Sequence, residues 1–136
     1  MTNGSPALRR IGISLGNIGS FQDGLGEFAL QLGRRIAARA PLWLERDGIA
    51  FDFHLRERLF GQFGAEVGYL AVNRWQRLRH ARPVRHALWH SLHQLNKTLP
   101  PLGAGVRLLT VHDLNYLYHP SAFSRWRHGS RTRKLI

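Results

Sequence analysis

Val106-Arg107-Leu108-Leu109-Thr110-Val111-His112-Asp113-Leu114-Asn115-Tyr116-Leu117 is an apolar run broken by a histidine and an aspartate. Valine and leucine with almost no alternation are the pattern of a strand covered on both faces, as in parallel sheets flanked by helices. His112 and Asp113 then fall at the strand's carboxyl end, and in open α/β sheets ligands bind in the crevice outside those ends. The pair is therefore the first candidate site. The plainer alternative is that both residues cap the following turn.

Four more segments have strand character: Arg10–Leu15, Ala50–Leu55, Val67–Val72 and Val84–His90, the last ending in His90-Ser91. After the first of them, four glycines fall within the eleven residues 16–26 and mark a loop. Leu25, Phe28, Ala29, Leu32 and Ile36 then recur at helical spacing, with Arg34, Arg35 and Arg39 on other faces. Asp23 is placed as the N-cap and Pro41 as the stop. Gly33 inside this helix costs about 1 kcal/mol relative to alanine, which a close approach of the sheet backbone would explain.

The pattern assigns nothing to 41–49 and reads Arg56–Phe63 as a helical turn closed by Gly64. It leaves 74–80 as a helix or an exposed loop, and gives Leu92–Leu99 a helical turn. After Pro120, Ser121 is placed to cap an arginine-rich helix that reaches Leu135-Ile136 with neither breaker nor cap, as expected of the front part of a longer protein. Strands separated by helical segments predict an α/β fold, Rossmann-like and doubly wound, with a mostly parallel sheet. Right-handed crossovers would bring the glycine loop, the His90 end and the His112 end to one rim.

A length of 136 residues suits one domain, here 10–136 behind a disordered tail of residues 1–9. A hydrophobic content of 43% excludes a wholly disordered chain, and the absence of cysteine excludes disulfides, thiolate metal sites and thiol nucleophiles. Twenty Lys and Arg against eight Asp and Glu give a net charge of +12. Such a surface attracts phosphates, nucleic acid or anionic lipid head groups. With no apolar segment of signal-peptide or membrane-span length, a cytoplasmic protein is expected, or a peripheral one on the inner face of a membrane.

Gly24-Leu25-Gly26-Glu27-Phe28-Ala29 matches G-x-G-x-x-A. It begins nine residues after Leu15 instead of directly after the strand, and the second strand does not end in an acidic residue, so it fails the context that NAD binding demands. Anion binding at the helix N-terminus and a merely sharp turn both remain open. His86, His90 and His93 have helical metal-ligand spacing. On a strand, however, His86 and His90 share a face about 13 Å apart, too far for one ion. His90 at the rim could hydrogen-bond a polar ligand, or serve as an ordinary core or surface histidine.

The segments Arg74–Arg85 and Arg125–Lys134, with Trp75 and Trp126, could contact phosphates and stack on bases. The other reading packs both indoles on the core beneath solvated arginines. No G-x-S-x-G elbow, P-loop or H-E-x-x-H occurs, so those hydrolase and NTPase classes have no support.

Three stretches carry a resemblance: Asp23-Gly24-Leu25-Gly26-Glu27-Phe28, Leu88-Trp89-His90-Ser91-Leu92-His93-Gln94-Leu95-Asn96 and Leu109-Thr110-Val111-His112-Asp113-Leu114-Asn115-Tyr116-Leu117-Tyr118. Together they resemble the N-terminal domain of group 1 glycosyltransferases, retaining enzymes of the GT-B architecture. The resemblance implies a nucleotide-sugar donor, a glycan or lipid-linked acceptor, no metal, and a second domain that this sequence lacks. By position, Gly24 and Gly26 would approach the donor diphosphate, His112 would act catalytically beside the transferred sugar, and His90 and Asp113 would shape the acceptor side. Without the second domain, little donor affinity and no transferase activity are expected. The charge would suit an anionic membrane surface; nucleic acid is not a partner the resemblance implies. The alternative is a non-enzymatic basic module that binds nucleic acid or anionic surfaces.

Overall fold

The computed structural model describes residues 7–16, 18–72, 84–112, 118 and 121–136. Strand β1 (Arg9–Ser14) leads into helix α1 (Gly24–Asp47), then β2 (Ile49–Leu55), a 3₁₀ turn at Glu57–Leu59, β3 (Gly68–Ala71), β4 (Leu88–Ser91), β5 (Val106–Leu109) and helix α2 (Ala122–Leu135). The five strands form one parallel sheet in the order β3-β2-β1-β4-β5. The chain winds outward from β1 to one edge and returns to β1's other side to wind toward the second edge. This is the doubly wound α/β, Rossmann-like sheet expected, with its switch point between the carboxyl ends of β1 and β4.

Strand alternation sorts the residues onto two unlike faces. Ile13 of β1 with Phe51, Phe53 and Leu55 of β2 enters the apolar core beneath α1. The buried side of α1 is small, comprising Gly26, Ala29, Gly33, Ala37 and Ala40. Aromatic rings fill the space this leaves: Phe63 stacks on Phe53 with centroids 4.4 Å apart. A Cβ on Gly33 would lie 2.2 Å from the Phe63 ring, so a side chain, not sheet backbone, accounts for this glycine.

Pro41 does not end α1. The helix continues to Asp47 and closes at Gly48, whose left-handed φ of 64° lets its N–H reach the Leu44 carbonyl at 3.1 Å. An interior proline costs about 3 kcal/mol. Continuation past it brings Trp43 against Phe51 with centroids 5.3 Å apart, while Pro41 itself stays exposed.

The opposite face of the sheet is buried but polar. Asp52 and His54, which strand alternation alone would place toward solvent, are 1% and 4% exposed. Asp52 accepts from Arg10 Nε at 2.6 Å and also from Arg10 Nη2, and its Oδ2 lies 3.3 Å from His86 Nε2. His86 in turn lies 3.3 Å from His54, Nε2 to Nε2. Burial pushes the Asp52 carboxyl up, but the hydrogen bonds from His86 and Arg10 outweigh it and hold the group at about 2. Fully buried Trp89 also lies on this face. A Cβ on Gly12 would be 2.7 Å from the Trp89 ring and 2.8 Å from that of His86, so β1 needs glycine where the rings cross it.

Two further expectations are corrected. β5 is a four-residue edge strand, not one covered on both faces: Val106 and Leu108 are 57% and 48% exposed. They alternate with Arg107 and Leu109, and no described element on α1's side reaches them. On the other side α2 is held by buried Leu135 and by a 2.8 Å hydrogen bond from Arg107 Nη1 to the Ile136 carbonyl. Residues 92–99 form turns instead of a helix, because side chains take the backbone donors: Leu95 N–H bonds His93 Nδ1 at 3.0 Å and Thr98 N–H bonds Asn96 Oδ1 at 3.0 Å.

Candidate functional site

The carboxyl edge of the sheet joins three segments through named hydrogen bonds. The Ser14 carbonyl, at the end of β1, accepts from Leu92 N–H at 3.2 Å and from Asn96 Nδ2 at 3.0 Å; the same amide reaches Ser14 Oγ at 2.8 Å. Gly16 makes room for this clamp, since a Cβ there would lie 2.1 Å from Thr98 Oγ1 and 2.7 Å from Asn96 Oδ1. The end of β5 is tied to the same segment. Thr110 N–H donates to the Ser91 carbonyl at 2.9 Å, and His112 N–H to Gln94 Oε1 at 3.2 Å.

His112 is the best-positioned titratable group of the rim. Its Nε2 lies 2.8 Å from the Leu92 carbonyl, an acceptor, so Nε2 carries a proton and in the neutral ring Nδ1 is the acceptor. The ring stands edge-on to Phe28 at 4.8 Å and stacks on His93 at 5.5 Å. Phe28 belongs to the first turns of α1, so the β5 end, the segment after β4 and the start of α1 are in contact. Asp113 lies outside the described residues, as does the segment 74–80.

The two motif glycines differ. A Cβ on Gly26 would lie 2.1 Å from the Ser20 carbonyl oxygen, so glycine here permits the helix to pack on its own loop. Its N–H is also taken, donating to the Asp23 cap at 2.6 Å. Gly24 has no atom within 4 Å of its would-be Cβ and is exposed. With Asp23 accepting from Gly26 through its side chain and from Glu27 through its carbonyl, the first-turn N–H groups of Gly24 and Leu25 remain for an anion.

His90 pairs in register with Ile13, and its Nε2 lies 2.8 Å from Thr110 Oγ1. Burial lowers its pKa, which favours the neutral imidazole. It joins β4 to the β5 end from within the sheet. His86 precedes β4 and packs against Trp89 on the opposite face, so the two histidines do not share a face; strand parity does not extend to a residue outside the ladder. Among the described residues no cluster of three or more His, Asp or Glu is placed to hold a metal ion.

Beside the glycine loop, toward β2, an open cleft of about 440 Å³ is lined by Gly19, Ser20, Phe21, Gln22, Arg58, Leu59 and Gln62. Arg58 Nη2 donates to the Gly19 carbonyl, pinning the loop and adding positive charge next to the α1 N-terminus. The clamp residues Ser14, Gln94, Asn96 and Thr98 and the contact from Phe28 carry no local sequence signal beyond the polar run that follows β4. No protein-family model, no curated protein and no solved structure matches the chain. No helix among the described residues is long and apolar enough to cross a membrane.

Proposed function

We propose that the chain forms the acceptor-side domain of a retaining, nucleotide-sugar-dependent glycosyltransferase, with the donor approaching the rim where α1, the β4 end and the β5 end meet. The observation that carries this reading is the fixed placement of His112, whose Nε2–H is held by the Leu92 carbonyl while its ring touches Phe28. In that reading the acceptor Nδ1 takes a hydrogen bond from a sugar hydroxyl. The N–H groups of Gly24 and Leu25 meet the diphosphate, where a leaving group gains negative charge. The acceptor, a glycan or lipid-linked sugar, would sit toward His90 and Asp113. The chemistry would be completed by a second domain contributing the remaining donor contacts.

The test is NMR titration of the 136-residue chain with UDP-glucose and GDP-mannose up to about 10 mM, a range that detects binding of about −3 to −4 kcal/mol. Shifts concentrated at residues 24–28, 92–96 and 112, diminished in both His112→Ala and Gly24→Ala, are expected. Gly24→Ala is informative because alanine meets nothing there, so lost binding is not lost folding. Absence of any shift at the rim, or shifts unchanged in both variants, would refute the assignment.

A further inference from the structure

α2 carries Arg125, Arg127, Arg131, Arg133 and Lys134 and no acidic residue. It is anchored at its C-terminal end, where Leu135 is buried and Arg107 holds the Ile136 carbonyl. In its N-terminal half, Phe123 is 66% and Trp126 62% exposed. The two rings pack on each other with centroids 5.9 Å apart, forming one joined apolar patch. Tyr118, just before the helix, is 86% exposed.

At 100° per residue, Phe123, Trp126, Ser130, Arg133 and Lys134 fall on one outward arc with Arg127 at its border, while Ser124, His128 and Leu135 fall on the arc toward the sheet. Lys134 also lines, with Asn96, Lys97, Leu99 and Arg131, an open groove of about 470 Å³ between α2 and the β4–β5 connection. Three cations, an amide and a leucine thus border the helix on that side.

We propose that this face of α2 docks on an anionic lipid bilayer, with Phe123 and Trp126 seated at the head-group boundary and Arg127 and Arg133 on lipid phosphates. Charge complementarity identifies the occupant: an arc holding cations and no carboxylate is repelled by cationic surfaces and gains from anionic ones. The rings choose a bilayer over a polynucleotide. Two aromatics packed together present a continuous wedge suited to the interface, whereas stacking on successive bases requires rings held apart with open faces. Exposed aromatics in this setting also explain why Trp126 does not enter the core. The inference is independent of the glycosyltransferase reading and would hold for a chain of any activity.

The test is flotation of the full chain with phosphatidylcholine vesicles, with vesicles containing about one-third phosphatidylglycerol, and with a random single-stranded oligonucleotide as competitor. The chain is expected to float with the anionic vesicles only, with affinity falling about fivefold for each removed cation. Phe123→Ala with Trp126→Ala should weaken binding at least about tenfold, and both residues are exposed enough that circular dichroism should show an unchanged fold. Arg127→Glu with Arg133→Glu should abolish flotation. Equal binding to neutral vesicles, unaltered binding in the aromatic double variant, or oligonucleotide binding without vesicle binding would each overturn the proposal, the last in favour of a nucleic-acid surface.

Discussion

Replacing Asp52 by asparagine removes one charge from the middle of the sheet while keeping the side chain's shape. In the native fold this carboxylate is 1% exposed and is met by Arg10 from β1 and His86 from the segment before β4. Its pKa is lowered from 3.8 to about 2. Because the folded value lies below the unfolded one, the contribution is fully present above the unfolded pKa and is lost as pH falls through the folded pKa. The shift corresponds to about 2 kcal/mol, lost progressively between roughly pH 5 and pH 1. Breaking the buried pair adds a smaller cost: Arg10 is 37% exposed and can turn to water, but His86 is fully enclosed. Among the described residues its Nδ1 has no partner, so the ring relies on Nε2 for its hydrogen bonds.

The assay is urea unfolding of wild type and Asp52→Asn at pH 7, 5, 3 and 2. The variant should be about 2–3 kcal/mol less stable at pH 7, and the two curves should approach to within about 0.5 kcal/mol at pH 2, where half of the folded wild type has already lost the same charge. The chain suits this measurement, since eight acidic side chains leave few competing titrations. Curves that stay parallel down to pH 2 would show that the Asp52 charge does not stabilise the fold.

Pro41→Ala should raise stability by about 1–2 kcal/mol. Alanine restores an interior helical hydrogen bond at an exposed position, and the gain is offset in part by the freer unfolded chain; thermal unfolding measures it, and an unchanged or lower Tm would refute the reasoning. Asn96→Ala should cost about 2–3 kcal/mol by orphaning the Thr98 N–H and removing one donor from the Ser14 carbonyl. Denaturant unfolding, together with a displaced His112 side-chain resonance, would check it; a stable variant with an unmoved His112 would show that the clamp does not position the rim.

Strand periodicity and glycine punctuation were enough to read the sheet, because alternate residues such as Ile13, Phe51 and Phe53 must face one side. The length of α1 was not legible, since local preference at Pro41 opposes a tertiary contact, Trp43 on Phe51, that no window around the proline contains. The polar second face was equally hidden. Asp52 and His54 alternate as solvent-facing residues do, and only Arg10, 42 positions earlier in sequence than Asp52, and His86, 32 positions after His54, reveal why they are enclosed. The rim histidine was legible from its position after an apolar run, whereas Asn96 and Gln94 were not, because a short polar run reads as solvated loop until its partners are known.

The geometry of the rim runs through the backbone of one residue. Leu92 donates its N–H to the Ser14 carbonyl and accepts His112 Nε2 at its own carbonyl, so a single residue after β4 links the end of β1 to the end of β5. Its side chain is buried in the apolar core beneath α1, which anchors the residue between its two flanking peptide groups. The switch point of a doubly wound sheet is ordinarily a crevice between diverging loops. Here the same place is braced by backbone, and in the proposed function a ligand at His112 would meet an imidazole whose direction is already set, with little ordering of this group left to oppose binding.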